Sequence, residues 1–453
     1  MSKIKNKEEG IFSNAWLVSV DMGYGHDRAA YPLKDFAYRE LIIANNYKGI
    51  PKEDAKIWKE SRKFYEFISR FRHVPVVGEW AFGLFDKWQA IPAFYPKRDL
   101  SKANFQTKQV YSLIRRKKWG KDLINFLNKD NGNRPLVTTF FVPAFMAEHF
   151  NYKGEIFCQI CDADISRNWA PLKPQKSRIH YLAPNRRVVE RLQLYGVRKE
   201  QIHLTGFPLP KENIGGLNLS VLKKDLGYRI YNLDPKKRYI NQFRHTIEYH
   251  LGKDNFPNKS SHPLTLTFAV GGAGAQRELG AEILCSLKDF IKKEKIKINL
   301  VAGTRNEVYL YFKDAIYKCG LEKLMNERVS IIFDTNKQKY FAKFNNVLHT
   351  TDILWTKPSE LSFYTGLGLP IIMASSIGSQ EDFNRLWLKN VGGGIVQNNP
   401  KYTNEWLFDW IDSGWLAKAA MAGFTEAPKL GAYKVEEVAL RKTDHLTEPP
   451  LVI

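Results

Sequence analysis

Two glycine-rich turns hold the residues of this chain best suited to do chemistry. In Asp21-Met-Gly-Tyr-Gly-His26 a histidine follows two glycines just after an apolar run ends. An imidazole titrates near neutral pH, so a histidine on such a loop is fit to take a proton as a general base. In Gly271-Gly-Ala-Gly-Ala275 every side chain is small. Backbone N–H groups can then approach a ligand closely, and a helix N-terminus behind them favours negative charge, so a diphosphate is the natural guest. The spacing is not the dinucleotide pattern G-x-G-x-x-G, and no P-loop Lys-Ser/Thr follows. A structural histidine and a tight turn packing helix on strand are the plainer roles for the same residues.

Two further clusters have residue types that can ligate a metal. Asp162-Ala-Asp164 spaces two carboxylates as some cation-binding loops do, but Asp164 is expected as an N-cap or turn residue. Cys158-x-x-Cys161 lies in an apolar run with no second pair, so core packing is expected and zinc is not. No metal and no bound cofactor are expected.

The elements that must position these turns alternate. Trp16–Val20 reads as a strand, followed by the first turn and a helix-compatible run. Pro135–Phe141, Glu155–Cys161, Ile179–Ala183 and Gln201–Leu204 are further strands, with Asn185–Tyr195 helical. Leu264–Val270 opens a second series, followed by the second turn and a helix from Arg277, then strands at Ile298–Ala302, Val329–Phe333 and Pro370–Met373. From Asn404 to near Arg441 the chain reads as helices. The fold class is α/β: two doubly wound, Rossmann-like domains facing a cleft, with ligands at the carboxyl ends of the strands. The expected divisions are 1–210, a linker and insertion at 211–262, a second domain at 263–425, and a closing helix and tail at 426–453.

Length and charge agree with this. The chain has 453 residues, 44% apolar and 13% aromatic, enough for two cores. No run approaches the ~20 apolar residues of a membrane span, and the N-terminus lacks a signal-peptide core. Four cysteines form no disulfide framework, so a reduced, cytoplasmic protein is expected. The net charge of +22 favours anionic partners. Residues 50–121 hold 17 Lys/Arg against 7 Asp/Glu, with 14 aromatics among them. Phe64, Phe67, Ile68 and Phe71 fall on one helical face, and Arg115-Arg-Lys-Lys118 stands beside Trp119. These features suit a helix lying in an anionic membrane interface. No RNP, KH or helix-turn-helix pattern is visible, so no nucleic-acid partner is expected.

In order along the chain, the motifs resemble those of one glycosyltransferase group. Gly23-Tyr-Gly-His26 with Ala29-Ala30 resembles the Gly-Gly-Gly-His loop of monogalactosyldiacylglycerol synthases and processive diacylglycerol glucosyltransferases. Cys161-Asp162 with Trp169, Ala183-Pro-Asn185, Gly196-Val197 and Thr205-Gly-Phe-Pro208 are similar to later family segments. So are Gly271-Gly-Ala-Gly274, Lys357-Pro358, Gly368-Leu-Pro370, Gly378-Ser-Gln-Glu381 with Asn384, Gly392-Gly-Gly-Ile395 and Gly431-Ala-Tyr-Lys434. The lipid II-forming N-acetylglucosaminyltransferase shares the skeleton. The resemblance spans roughly residues 14 to 440 and implies a two-domain GT-B fold, with acceptor in the first domain, donor in the second, and inversion without a metal. Three departures stand out. Tyr24 replaces a glycine, Phe140 stands where a histidine is common, and the segment from Lys357 to Pro370 is shorter. Either Glu360 or Thr365 then falls at the ribose-binding position.

The resemblance implies the following roles. His26 is the first candidate base and Asp162 the second. Gly23, Tyr24, Gly25 and Trp169 face the acceptor. Gly271, Gly272, Ala273, Gly274, Arg305, Lys357, Ser359, Glu360, Gln380, Glu381 and Asn384 hold the donor. The expected activity is transfer of a sugar from a nucleotide diphosphate donor, UDP-linked by preference, to a lipid or lipid-linked acceptor on the cytoplasmic membrane face. A nucleotide-sugar 2-epimerase on the same fold, or a non-catalytic lipid- or polyanion-binding protein, are the alternatives.

Overall fold

A computed structural model describes residues 12–71, 91–130, 133–271, 274, 276–376 and 379–442. Gly272, Ala273 and the side chains of the Phe64–Phe71 stripe lie outside the described residues.

Among the described residues, twelve strands form two six-stranded sheets. The first holds β1 (Trp16–Ser19), β2 (Ile42–Ile43), β3 (Leu136–Thr138), β4 (Ile156–Gln159), β5 (Ile179–Ala183) and β6 (Ile202–Leu204), in the order β2-β1-β3-β4-β5-β6. The second holds β7 (Thr265–Ala269), β8 (Lys297–Gly303), β9 (Val329–Phe333), β10 (Ile353–Thr356), β11 (Ile371–Met373) and β12 (Gly394–Val396), in the order β12-β11-β10-β7-β8-β9. All pairings are parallel, with registers such as Val18 opposite Thr138 and Phe268 opposite Trp355. Helices cover both faces, so the central strands are continuous buried runs; every residue of β7 is buried. This is the doubly wound, two-domain α/β architecture expected from the sequence.

The strand orders say where a ligand sits. The chain reverses direction across the first sheet between β1 and β3, and across the second between β7 and β10. Adjacent crossovers leave to opposite faces at such a point, which opens a crevice at the carboxyl ends. Both glycine-rich turns follow the first strand of a reversal, β1 and β7.

Residues 211–262 hold helices Lys211–Ile214, Ser220–Leu233 and Arg238–Leu251. Their Leu226, Ile230, Ile240 and Ile247 are buried in the same core as the second sheet. The helix Gly431–Leu440 returns to the first sheet, where Ala432, Val435 and Ala439 pack on Leu17, Val137 and Phe157.

The expectation of four reduced thiols is corrected. Cys285, on the helix Arg277–Lys292, is bonded to Cys319, just past the helix Asn306–Lys318, with Cα atoms 5.5 Å apart. These helices lie side by side over the second sheet, which brings together residues 34 apart in sequence. Cys158 and Cys161 are buried and free. Alkylation of denatured, unreduced protein is therefore expected to label two cysteines, and four after reduction; four labels without reductant would remove the crosslink.

Candidate functional site

The crevice between the two reversals brings four loops together: those after β1 and β3 on one wall, and those after β7 and β10 on the other. On the first wall His26 lies in the opening turn of the short helix Gly25–Ala30. Its Nδ1 is 2.7 Å from the Thr139 carbonyl oxygen at the end of β3. A carbonyl only accepts, so Nδ1 carries the proton and Nε2 keeps a lone pair. Phe140 and Trp169 flank the ring at 4.7 and 6.3 Å. Desolvation lowers the imidazole to about 4; the Thr139 hydrogen bond and Glu360 oppose this in part. His26 is thus neutral at physiological pH.

Asp162 follows β4 on the same wall. Burial raises its carboxyl to about 6, with Glu360 and Glu381 adding to the shift and Asn384 and Lys357 opposing it. A carboxylate poised there is also able to accept a proton.

On the second wall Lys357 lies directly over Gly271. A Cβ at Gly271 would come within 2.8 Å of the lysine Cε, so glycine permits the approach. Lys357 is paired with Glu381. Arg305 precedes the helix Asn306–Lys318, meets Glu307 at 3.2 Å, and has its Cδ 3.5 Å from where a Cβ on Gly274 would stand. These cations and the start of helix Arg277–Lys292 border the small-residue turn. Ser359 and Gln380 are partly buried at the edge of the same loops.

Glu360 and Thr365, the two candidates for the ribose position, lie in different surroundings. Thr365 is fully buried, its hydroxyl wedged between Gly393 and Gly423 behind the crevice. Glu360 stands in the crevice, 3.5 Å from where a Cβ on Gly25 would lie, and pairs with Arg28 at 3.1 Å. It is the carboxylate that acts on both His26 and Asp162.

Several expected ligand residues spend their polar groups on the protein. The Asn384 carbonyl accepts from the Ala163 amide at 2.7 Å, and its amide donates to Asp162 at 3.3 Å and to the Pro358 carbonyl at 3.4 Å. It clips the 162–163 turn to the second wall. The Tyr24 hydroxyl accepts from the Thr304 amide at 2.8 Å across the cleft. Gly303 before it has φ +69, and a Cβ there would overlap that hydroxyl. Gly23 has φ +113, which turns the loop into the helix. Trp169 is buried in the aromatic wall behind His26.

Sequence reasoning missed Asp27, Arg28, Lys337 and Tyr340. Lys337 bridges Asp21 at 2.8 Å and Asp27 at 2.5 Å. Arg28 donates to the Tyr340 hydroxyl at 2.5 Å. Arg28 had a signal, a charge beside Ala29-Ala30 in a run that had to be buried. Lys337 had none, lying 310 residues from Asp27.

In the basic stretch, Arg115–Lys118 are exposed at the end of the helix Phe105–Lys117. Phe105 at its start is 57% exposed. Trp119 instead turns inward, 2% exposed and 4.6 Å from Trp58, so it is a core residue and no membrane anchor. No helix among the described residues is long and apolar enough to cross a membrane, and they hold no cluster of three metal-ligating side chains.

Residues 254–434 match a family model described as a domain of unknown function (DUF6938). No curated protein sequence matches the chain. Among solved structures it is similar to the S. aureus MnaA–UDP co-structure, with TM-score 0.46 and 10% identity over 98% of this chain and 100% of that one. It is also similar to UDP-GlcNAc 2-epimerase from Neisseria meningitidis bound to UDP-GlcNAc, with TM-score 0.44 and 11% identity over 90% and 97%. A third is MurG from Acinetobacter baumannii, with TM-score 0.44 and 9% identity over 94% and 99%.

Proposed function

We propose that this chain is a glycosyltransferase. It moves a sugar from a nucleotide diphosphate donor, UDP-linked by preference, to a hydroxyl of a lipid or lipid-linked acceptor at an anionic membrane surface, with inversion. The observation that carries this reading is the pairing of walls. A neutral imidazole, bonded through Nδ1 to Thr139, follows β1, and Gly271 with Lys357 over it, Arg305 beside Gly274 and a helix start follow β7, at the two places where the strand orders reverse.

The chemistry follows from that pairing. Nε2 of His26, or the Asp162 carboxylate, takes the acceptor hydroxyl proton as its oxygen attacks the sugar C1. The bond from C1 to the diphosphate oxygen breaks, and the leaving oxygen takes the electron pair. Backbone amides of the turn, Lys357 and Arg305 stabilise that charge as it develops. Closure of the cleft over both bound substrates keeps water from competing. Glu360 is assigned to the ribose edge of the donor site. The exposed Arg115–Lys118 cluster supplies attraction to the membrane at up to ~1 kcal/mol per residue.

Calorimetry with UDP and UDP-sugars, with and without anionic vesicles, tests this. UDP is expected to bind, and Gly271→Val to weaken binding by about tenfold, because the new side chain displaces Lys357. Replacing Arg115–Lys118 by Gln should reduce sedimentation with anionic vesicles. Vesicle binding without nucleotide binding would move the chain to the lipid- or polyanion-binding class. Conversion of a UDP-sugar without any acceptor would move it to the epimerases.

A further inference from the structure

We propose that the donor domain grips and positions the His26 loop, and that Lys337 and Arg28 are positioning residues for the base. The inference rests on the reading of His26 as the base. The residues around His26 divide sharply. Among the described residues His26 bonds within its own domain, to the Thr139 carbonyl. Its neighbours reach across. Tyr24 accepts from the Thr304 amide at 2.8 Å. Asp27 and Asp21 share Lys337 at 2.5 and 2.8 Å. Arg28 pairs with Glu360 at 3.1 Å and donates to Tyr340 at 2.5 Å.

Arg28 is seated inside the second domain. Its guanidinium lies 4.3 Å from the centre of the Phe344 ring, 5.1 Å from Phe341 and 5.5 Å from Tyr340. From its own side comes the Tyr24 ring, at 5.7 Å. Asp27 is held at the other end by the Ser19 hydroxyl at 2.7 Å. A five-residue turn fixed at Tyr24, Asp27 and Arg28 leaves Gly25 and His26 between them little freedom.

Buried charge pairs of this kind add little net affinity, but they punish any other register, because a misplaced partner stays buried and unpaired. The base therefore comes to its working position only when the donor domain is in place. A displacement of 1 Å at a reacting group can cost about 10²-fold in rate.

Lys337→Met removes the grip on both carboxylates without touching the small-residue turn or Lys357. The expected result is a kcat about 10- to 100-fold lower with UDP affinity unchanged, and restoration by Lys337→Arg. Asp21→Asn, at a partly exposed site where folding is not at stake, should give a smaller loss in the same direction. The imidazole of His26, followed by NMR, provides a readout that needs no substrate. It should titrate near 4 in the parent protein, and move towards the ordinary 6.5 in Lys337→Met as the loop loosens and the ring is solvated. Absence of any transfer by the parent protein would defeat the function reading while leaving this titration informative. A ring that titrates alike in parent and both variants, or near 6.5 already in the parent, overturns the grip. So does a Lys337→Met enzyme with unchanged kcat.

Discussion

His26→Ala is expected to lower kcat by about 10²–10⁴-fold while UDP still binds as in the parent protein. The imidazole Nδ1–H is committed to the Thr139 carbonyl of its own wall. What the substitution removes is the Nε2 lone pair on the acceptor side. Equal loss of transfer and of UDP affinity would show that His26 shapes the cleft and is not the base. Asp162 is the rival, and the two are matched to the task in different ways. Its carboxyl, raised to about 6 by burial, lies closer to the operating pH, where a base works best. His26 has the better-defined lone pair, and Glu360 beside it favours the imidazolium that forms during the reaction.

A pH profile separates the rivals. Either base works only when unprotonated. If His26 takes the proton, kcat/KM holds as the medium is acidified and falls through about pH 4. If Asp162 does, it falls through about pH 6. The profile of His26→Ala is equally direct, because a residual rate that falls through about pH 6 assigns the remaining proton transfer to Asp162.

The two-domain fold was legible because its longer strands are continuous apolar runs between turn residues. Ile179–Ala183 and Val329–Phe333 have the expected bounds. The strands that escaped are Ile42–Ile43, Ile353–Thr356 and Gly394–Val396. Two to four residues carry no periodicity of their own, and it is the ladder with a neighbouring strand that makes them strands. The crosslink between Cys285 and Cys319 escaped for a related reason, since which helices lie side by side is a property of the sheet order. At the site, turns with local chemistry were readable: a histidine after glycines, small residues after a strand. What joins the walls was not. Lys337 reaches Asp21 and Asp27 from the far side of the cleft, and Asn384 spends on the 162–163 turn the amide that its type had suggested for a sugar.

Asp162-Ala-Asp164 shows the same division within three residues, and Asp164→Asn is expected to destabilise the first domain by about 3–5 kcal/mol. Asp164 is 1% exposed. Its Oδ1 accepts from Arg191 Nε at 2.8 Å and its Oδ2 from Arg191 Nη2 at 2.7 Å, while Oδ1 also takes the Ile165 amide at 2.8 Å. The turn role expected of it is therefore present, but the larger role is ionic. Arg191 is wholly buried, and its Nη1 donates to the Pro92 carbonyl at 2.9 Å. An asparagine keeps an acceptor for the Ile165 amide and leaves the guanidinium without a counter-charge, which is the costly way to break a buried pair. Asp162→Asn should behave in the opposite sense. Burial already disfavours its charge, so a neutral side chain leaves stability unchanged or higher, and the loss falls on transfer. Chemical denaturation and steady-state kinetics on the two variants read both effects. If Asp164→Asn is as stable as the parent, or Asp162→Asn is the less stable of the pair, then the structural and chemical roles have been assigned to the wrong aspartates.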